Sequence, residues 1–311
     1  MVHRLSPAVA ALALTAAFAY VPTAQAIITY DNAGQNSSPA PGSVDQYVGN
    51  YNGGSAVLVA PDVVLTTLHL GPSTAGTFVY QGQSYGIDKV QTIGDTQIAV
   101  MHLTAPTGST GVQLYSGAGD ATAQVVLVGY GGPKGTPFTG NSASQTGWNW
   151  TGGVATTSWG QATNDNIYAD ASNATYLGFA FTATPGSSMF TGGDSGGGMF
   201  INDNGTWKLA GLNWSVDGYY GAPNDPVVNE VAAIYDVPGS ALYTVDNHGS
   251  YLLATAAQHG YSSRIADPAT YATLQNTIAS FTTVAVPEPS SLLLLTLGAP
   301  ALLRRRRASR A

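Results

Sequence analysis

Cysteine is absent from the 311-residue chain, so no disulfide staples the fold and packing alone must hold the core. Charge is scarce too. Asp, Glu, Lys and Arg make up 9% of the residues, too few to cover long solvated helices. Bases are the scarcest: between Ile27 and Val286, Lys89, Lys134, Lys208 and Arg264 stand as four bases against sixteen acids, a net of −12. Such a domain repels phosphate backbones, which argues against a nucleic-acid partner. No dinucleotide-type or phosphate-loop glycine pattern follows a strand, and no paired His/Cys cluster suggests zinc, so neither a cofactor nor a metal is expected. What is plentiful is Gly, Thr, Ser and Tyr, the composition of a β-protein.

Both ends carry export signals. Arg4, the apolar run Ala8 to Phe18 and the small-x-small triplet Ala24-Gln25-Ala26 predict a signal peptide over 1–26, removed by signal peptidase to leave Ile27 first. The apolar run is too short for a stable bilayer anchor. At the other end, Val286-Pro287-Glu288-Pro289-Ser290 precedes an apolar run, Leu292 to Leu303, and then Arg304 to Arg307. That order resembles the PEP-CTERM sorting tail of exported bacterial proteins. The resemblance implies export across the inner membrane and transient retention by the tail at 286–311. An exosortase-type enzyme would then remove the tail, releasing the protein to the cell surface or extracellular matrix. An ordinary C-terminal anchor has the same look. The arginines favour a cytoplasmic C-terminus before processing.

Between these ends, one stretch dominates: Thr191-Gly192-Gly193-Asp194-Ser195-Gly196-Gly197-Gly198. A serine among glycines suits nucleophilic attack, because glycines can take φ > 0 and aim backbone N–H groups at a developing oxyanion. Upstream, Ser55–Ala60 reads as a strand, Pro61-Asp62 as a turn, and Val63–Thr67 as a second strand that delivers His69. Neutral imidazole is the natural general base for a serine. The run Gly193 to Gly197 is the nucleophile motif of trypsin/chymotrypsin-like serine proteases. Ser55–His69 is similar to that family's catalytic-histidine region, and Val125–Gly131 resembles the strand that opens its second barrel. The resemblance implies His69 as base, Ser195 as nucleophile, and the N–H groups of Gly193 and Ser195 as the oxyanion hole.

The third residue of such a triad departs from the pattern. Ile98–Leu103 looks like the strand that follows the acid, yet Gln97 stands directly before it and Asp95 lies two places earlier. Asp95 is the expected acid, given a bulge or shift at the strand start. Gln97 as a weak substitute, an acid elsewhere such as Asp88, and no acid at all stay open. His102, on the same strand, is expected to be a surface or packing histidine. Asn213-Trp214-Ser215 stands where the family has Ser-Trp-Gly beside its specificity pocket. The pocket base falls six residues before Ser195, at Met189. With no charge at Met189 and with Ser215 narrowing the pocket, a small or apolar substrate residue is expected. Trp148, Trp150 and Trp159 could form a sugar-binding strip, but core packing is the better reading. In the family, the acid before the serine pairs with a newly freed amine. Ile27 could reach Asp194 in that way, or could simply open a strand.

The expected fold is all-β: two six-stranded antiparallel Greek-key barrels, the first over about 27–122 and the second over about 123–260. Short C-terminal helices follow, one near Tyr251 to Gln258 and one over about 267–281, where Asp267 caps, Pro268 starts, and Tyr271, Leu274, Ile278 and Phe281 share a face. The protease-like domain is thus 27–285, and its expected function is peptide-bond hydrolysis through an acyl-enzyme. The rival reading is a catalytically silent surface or matrix binding protein on the same fold. A tryptophan-based adhesin has less support.

Overall fold

A computed structural model describes residues 26–31, 39–150, 157–217, 232–245 and 251–282. Apart from Ala26, the expected signal peptide lies outside these residues, as does the tail at 286–311.

A two-residue strand, β1 (Ile28–Thr29), comes first. Then β2 (Val48–Tyr51), β3 (Gly54–Ala60), β4 (Val63–Thr67), β5 (Thr77–Tyr80), β6 (Gln83–Thr92) and β7 (Ile98–Leu103) close into an antiparallel barrel in the order β2-β3-β4-β7-β6-β5. The unbroken apolar runs of β3, β4 and β7 reflect burial on both faces. Ala56, Leu58, Val64 and Met101 fill the barrel with Tyr51, Phe78 and Tyr80. Their alternates Val57, Leu65 and Val100 face outward into a cluster shared with Val126, Val128, Phe200 and Leu212 of the second half. A strand with one wet face would have alternated apolar with polar.

The second half contributes β8 (Gln124–Gly129), β9 (Lys134–Phe138), β10 (Gly147–Trp150), β11 (Ser158–Thr163), β12 (Asn166–Ala169) and β13 (Thr175–Ala180). It continues with β14 (Ser188–Met189), β15 (Gly198–Asp203), β16 (Thr206–Val216), β17 (Ala232–Ile234), β18 (Tyr243–Val245), β19 (Tyr251–Leu253) and β20 (His259–Arg264). Seven of these form one sheet, β11-β8-β15-β16-β20-β13-β12. Without β12, its six strands repeat the cyclic order of the first barrel, save for one ladder. The β11–β13 seam stays open: β12 occupies the outer edge of β13, and β11 meets only an isolated parallel bridge from Gln161 to Ser187. The fold is therefore all-β with one closed six-stranded barrel and a second set of strands wound in the same order.

Helix α1 (Pro268–Thr282) follows. Asp267 Oδ1 accepts from the N–H groups of Ala269 and Thr270 at 3.1 and 3.0 Å, a side-chain cap. Leu274 and Phe281 are buried in the cluster between the halves, with Tyr271 and Ile278 packed at its margin. Of the two expectations for His102, surface or packing, packing holds. The residue is buried, its Nδ1 meets Asp88 Oδ1 at 2.5 Å, and its ring meets Phe281 edge-on. The helix expected near Tyr251 to Gln258 does not form. Tyr251–Leu253 pairs instead with Tyr243–Val245 as β19 on β18, because a cross-strand partner outweighs weak local helix propensity.

Candidate active site

The site begins with Ser55, at the head of β3. Its Oγ donates to the Gly193 carbonyl at 3.0 Å and accepts from Tyr130 N–H at 2.9 Å, while its own N–H donates to the Ser195 carbonyl at 2.8 Å. Thr66 Oγ1 on β4 donates to the Ser55 carbonyl at 2.8 Å. One small residue of the barrel thus grips the nucleophile loop of the other half. The approach is close enough that a Cβ on Gly196 (φ 78°) would collide with the Ser55 carbonyl and Thr66 Oγ1, with Leu70 at 3.1 Å. Glycine is obligatory there.

His69 sits on the single 3-10 turn Leu68–Leu70 that leaves β4, closed by left-handed Gly71. Leu68 N–H donates to the Gln97 carbonyl at 3.0 Å, which fixes this turn to the start of β7. Leu70, next to His69, lies 3.1 Å from where a Cβ on Gly196 would stand, so His69 and Ser195 are carried to the same junction. His69 is exposed as a residue, yet protein packed around its ring desolvates it and lowers its pKa from 6.5. That favours the neutral form a general base requires.

At the nucleophile, Gly192 carbonyl accepts from Gly132 N–H at 2.9 Å. The peptide is planar and trans, so the Gly193 N–H must point the opposite way. Gly193 has φ 100°. Neither its N–H nor that of Ser195 donates to a protein acceptor among the described residues. Two N–H groups flanking Asp194 and free of protein acceptors are what an oxyanion needs.

Asp194 is fully buried. It accepts from Thr191 N–H at 2.7 Å, Gly131 N–H at 2.9 Å and Thr191 Oγ1 at 3.1 Å, and burial raises its pKa to about 7 against the pull of these bonds. The glycines of Gly129-Tyr130-Gly131 admit it, since a Cβ on either would strike its carboxylate. Thr191 Oγ1 also lies 3.1 Å from the Ala26 carbonyl. The Ala26–Ile27 peptide bond, the one signal peptidase is expected to cut, therefore sits beside this acid. Ile28 and Thr29 pair with Met189 and Ser188.

A cavity of about 210 Å³ opens at Ser195, lined by Trp150, Phe190, Thr191, Gly192, Asn213, Trp214, Ser215 and Val216. Trp214 stands at a bulge between β16 and β20 and stacks on Tyr176, with centroids 4.3 Å apart. Met189 does not form the floor as expected. It is wholly buried in the core opposite Ile28, and alternation along the chain hands the lining position to Phe190. Asn213 is more brace than contact: its Nδ2 donates to the Val128 carbonyl at 3.0 Å, and its carbonyl accepts from Gly196 N–H at 2.8 Å. Of the three tryptophans, Trp159 is core, Trp148 packs with Tyr30 and Tyr235, and Trp150 reaches the cavity. A larger groove, about 890 Å³, lies at the other ends of β8 and β11 and has no histidine in its lining.

The expected acid is not brought to the base. Asp95 is exposed on the β6–β7 turn and borders a shallow depression with Asn173 and Asp267. Asp88 is spent on His102. Among the described residues no carboxylate forms an ion pair with His69, and no hydrogen bond joins His69 to Ser195 Oγ. The strand start carries no bulge that would bring Asp95 forward: Thr96 Oγ1 donates to the Ile93 carbonyl at 2.6 Å, closing the turn on itself. Ser55, Thr191 and Phe190 escaped the sequence reading. Their roles come from contacts made across the two halves, for which the chain gives no local mark.

Residues 285–307 match the PEP-CTERM protein-sorting motif, which indicates export and C-terminal sorting to the cell envelope. No helix among the described residues is long and apolar enough to cross a membrane. No curated protein matches the chain. Among solved structures, the inactive form of the Rv3671c protease aligns with a TM-score of 0.45 and 12% identity over 82% of this chain and 98% of its own. The Ser343Ala mutant of Rv3671c from M. tuberculosis gives a TM-score of 0.43 and 11% identity, over 80% and 96% of the two chains. The HtrA-type protease AlgW with a decapeptide gives 0.41 and 14%, over 74% and 51%. Identities this low say nothing of which residues act, and the reading of the site rests on its own geometry.

Proposed function

We propose that the chain is an exported serine endopeptidase. Ser195 Oγ attacks the scissile carbonyl while His69 accepts its proton, and the Gly193 and Ser195 N–H groups hold the oxyanion. His69 then passes the proton to the leaving amine, and water, activated in the same way, releases the acyl-enzyme. The observation that carries this reading is that neither the Gly193 nor the Ser195 N–H has a protein acceptor among the described residues, while the Gly192 and Asp194 carbonyls of the same two peptides are held by Gly132 and Gly197 N–H. The uncharged lining of the cavity, with Phe190, Trp150 and Val216, suits an apolar side chain of a peptide substrate. Signal peptidase would free Ile27 next to buried Asp194, and an exosortase-type enzyme would remove the tail and leave the protease at the cell surface or in the matrix.

Among the described residues no carboxylate pairs with His69, which favours a second reading, the catalytically silent binding protein, since loss of the acid costs about 10⁴ in rate in a well-studied serine protease. Intact-mass labelling of the exported protein with a fluorophosphonate separates the two. The proposal expects one adduct, lost in Ser195→Ala and slowed at least a hundredfold in His69→Ala. Asp95→Asn should label at close to the parent rate if Asp95 stays on its turn, and much more slowly if it closes on His69 when substrate binds. No adduct on folded, processed protein sinks the enzyme reading.

A further inference from the structure

His259 opens β20 beside the wall of the cavity, and its ring is surrounded by acceptors. Nε2 lies 2.9 Å from Asp165 Oδ2, on the β11–β12 turn. Nδ1 lies 3.1 Å from the Ala257 carbonyl oxygen and 3.7 Å from Asp217 Oδ2. A carbonyl and an ionised carboxylate can only accept, so both ring nitrogens must carry hydrogen. The imidazolium alone meets that demand; either neutral tautomer sets a nitrogen lone pair against an oxygen. Among the described residues, the other titratable groups facing the ring are Tyr168 of β12, edge-on at 6.0 Å, and Tyr261 of its own strand, stacked at 6.2 Å. From β13 the opposite residue is Ala180, which does not titrate. The pKa of His259 is accordingly raised: the Asp217 carboxylate near Nδ1 is the largest cause, desolvation opposes it, and Asp165 adds to it.

Asp217 is the residue directly after Val216, the last lining residue of β16. It is tied to the start of β20 by main chain and side chain together. Its N–H donates to the His259 carbonyl at 2.9 Å, and its Oδ2 accepts from His259 N–H at 3.0 Å. Its Oδ1 accepts from Tyr261 Oη at 3.0 Å, and its carbonyl accepts from Gln258 Nε2 at 2.7 Å. The imidazole therefore joins the end of the cavity wall on one side to the β11–β12 turn on the other.

We propose that His259, as an imidazolium bridging Asp165 and Asp217, is a positioning residue that holds Trp214–Val216 in the form that binds an extended peptide. Loss of its proton loosens that wall and weakens substrate binding. The inference rests on the proteolytic reading of the cavity. Because the folded state favours the charged ring, the bridge is complete below the ordinary histidine value of 6.5 and is lost as pH rises through the raised one.

The experiment is a steady-state pH series on the exported protein, from about pH 5 to about pH 9, using a peptide ester with an apolar residue at the cleaved bond. Across the series KM should rise about tenfold, the effect of losing one hydrogen bond to a charged group, with kcat following His69 alone. His259→Gln, checked for folding by circular dichroism, should have the high KM throughout, and Asp165→Asn should move the rise to lower pH. A His259→Gln protein that keeps the parent KM at both ends overturns the inference. If fluorophosphonate finds no active serine, the proteolytic reading fails separately. The wall is then read from Trp214 emission, taken as the difference from Trp214→Phe. A pH-dependent shift present in the parent and absent in His259→Gln sustains the inference, and no shift in the parent overturns it.

Discussion

Ser55 is the residue on which the two halves converge, and its chemistry is modest: one hydroxyl that both donates and accepts. In Ser55→Ala the Tyr130 N–H and the Gly193 carbonyl lose their partner at a desolvated junction. The expected cost is about 1–3 kcal/mol, read as a lower urea midpoint with unchanged slope. Labelling of Ser195 should slow as well, since the Gly193 peptide would lose the bond that fixes its carbonyl. A variant of parental stability and reactivity would mean that the loop is held by the Ser195–Ser55 main-chain bond alone. At this scale the sequence marked Ser195 and His69 as candidates, because glycine neighbours and a strand end are local marks. Phe190 was not legible in the same way. Whether Met189 or Phe190 faces the cavity depends on the register with Ile28–Thr29, set by a strand some 160 residues away.

Among the elements, α1 was foreseen almost to its ends. Asp267-Pro268 is a start signal written in consecutive residues, and the 3.6-residue spacing of its apolar positions needs no partner to be seen. Asp267→Ala should cost about 1 kcal/mol through the lost cap. Leu274→Ala should cost about 2–5 kcal/mol, because Leu274 is wholly buried between the halves. Both are measurable by thermal unfolding. Equal effects from the two would place the helix outside the cooperative core. The segment Tyr251–Leu253 shows the opposite case. Three residues carry no period, so the pairing with Tyr243–Val245 decided their state. The open seam between β11 and β13 was equally hidden, for it depends on β12 taking the β13 edge.

For the molecule as a whole, the buried Asp194 ties stability to pH. Its pKa is raised from 3.8 to about 7, mainly by burial. A folded state that binds a proton more tightly than the unfolded chain is most stable below the unfolded value. That stability drains away between about pH 4 and about pH 7, and the curve is level above. A precursor in which cleavage after Ala26 is blocked should therefore lose stability across that window in urea titrations, and Asp194→Asn should abolish the loss. In the processed protein the ammonium of Ile27, adjoining the Ala26 carbonyl that Thr191 now meets, would offset the buried charge and flatten the curve. A processed protein with the precursor's pH dependence would show that Ile27 only opens a strand.

The sequence by itself determined the parts written in consecutive residues: the glycine-flanked Ser195 loop, the histidine at the end of its strand, the cap and face of α1, and the C-terminal sorting motif. It also determined the β composition and the fact that packing alone must hold the core. Only the tertiary structure decided that Asp95 stays on its turn, away from His69, that Phe190 rather than Met189 lines the cavity, and that His259 lies between two acids. Each of these depends on which strands pair and in what register. In a β-protein those partners sit tens to hundreds of residues apart, and a shift of one residue turns a side chain from cavity to core.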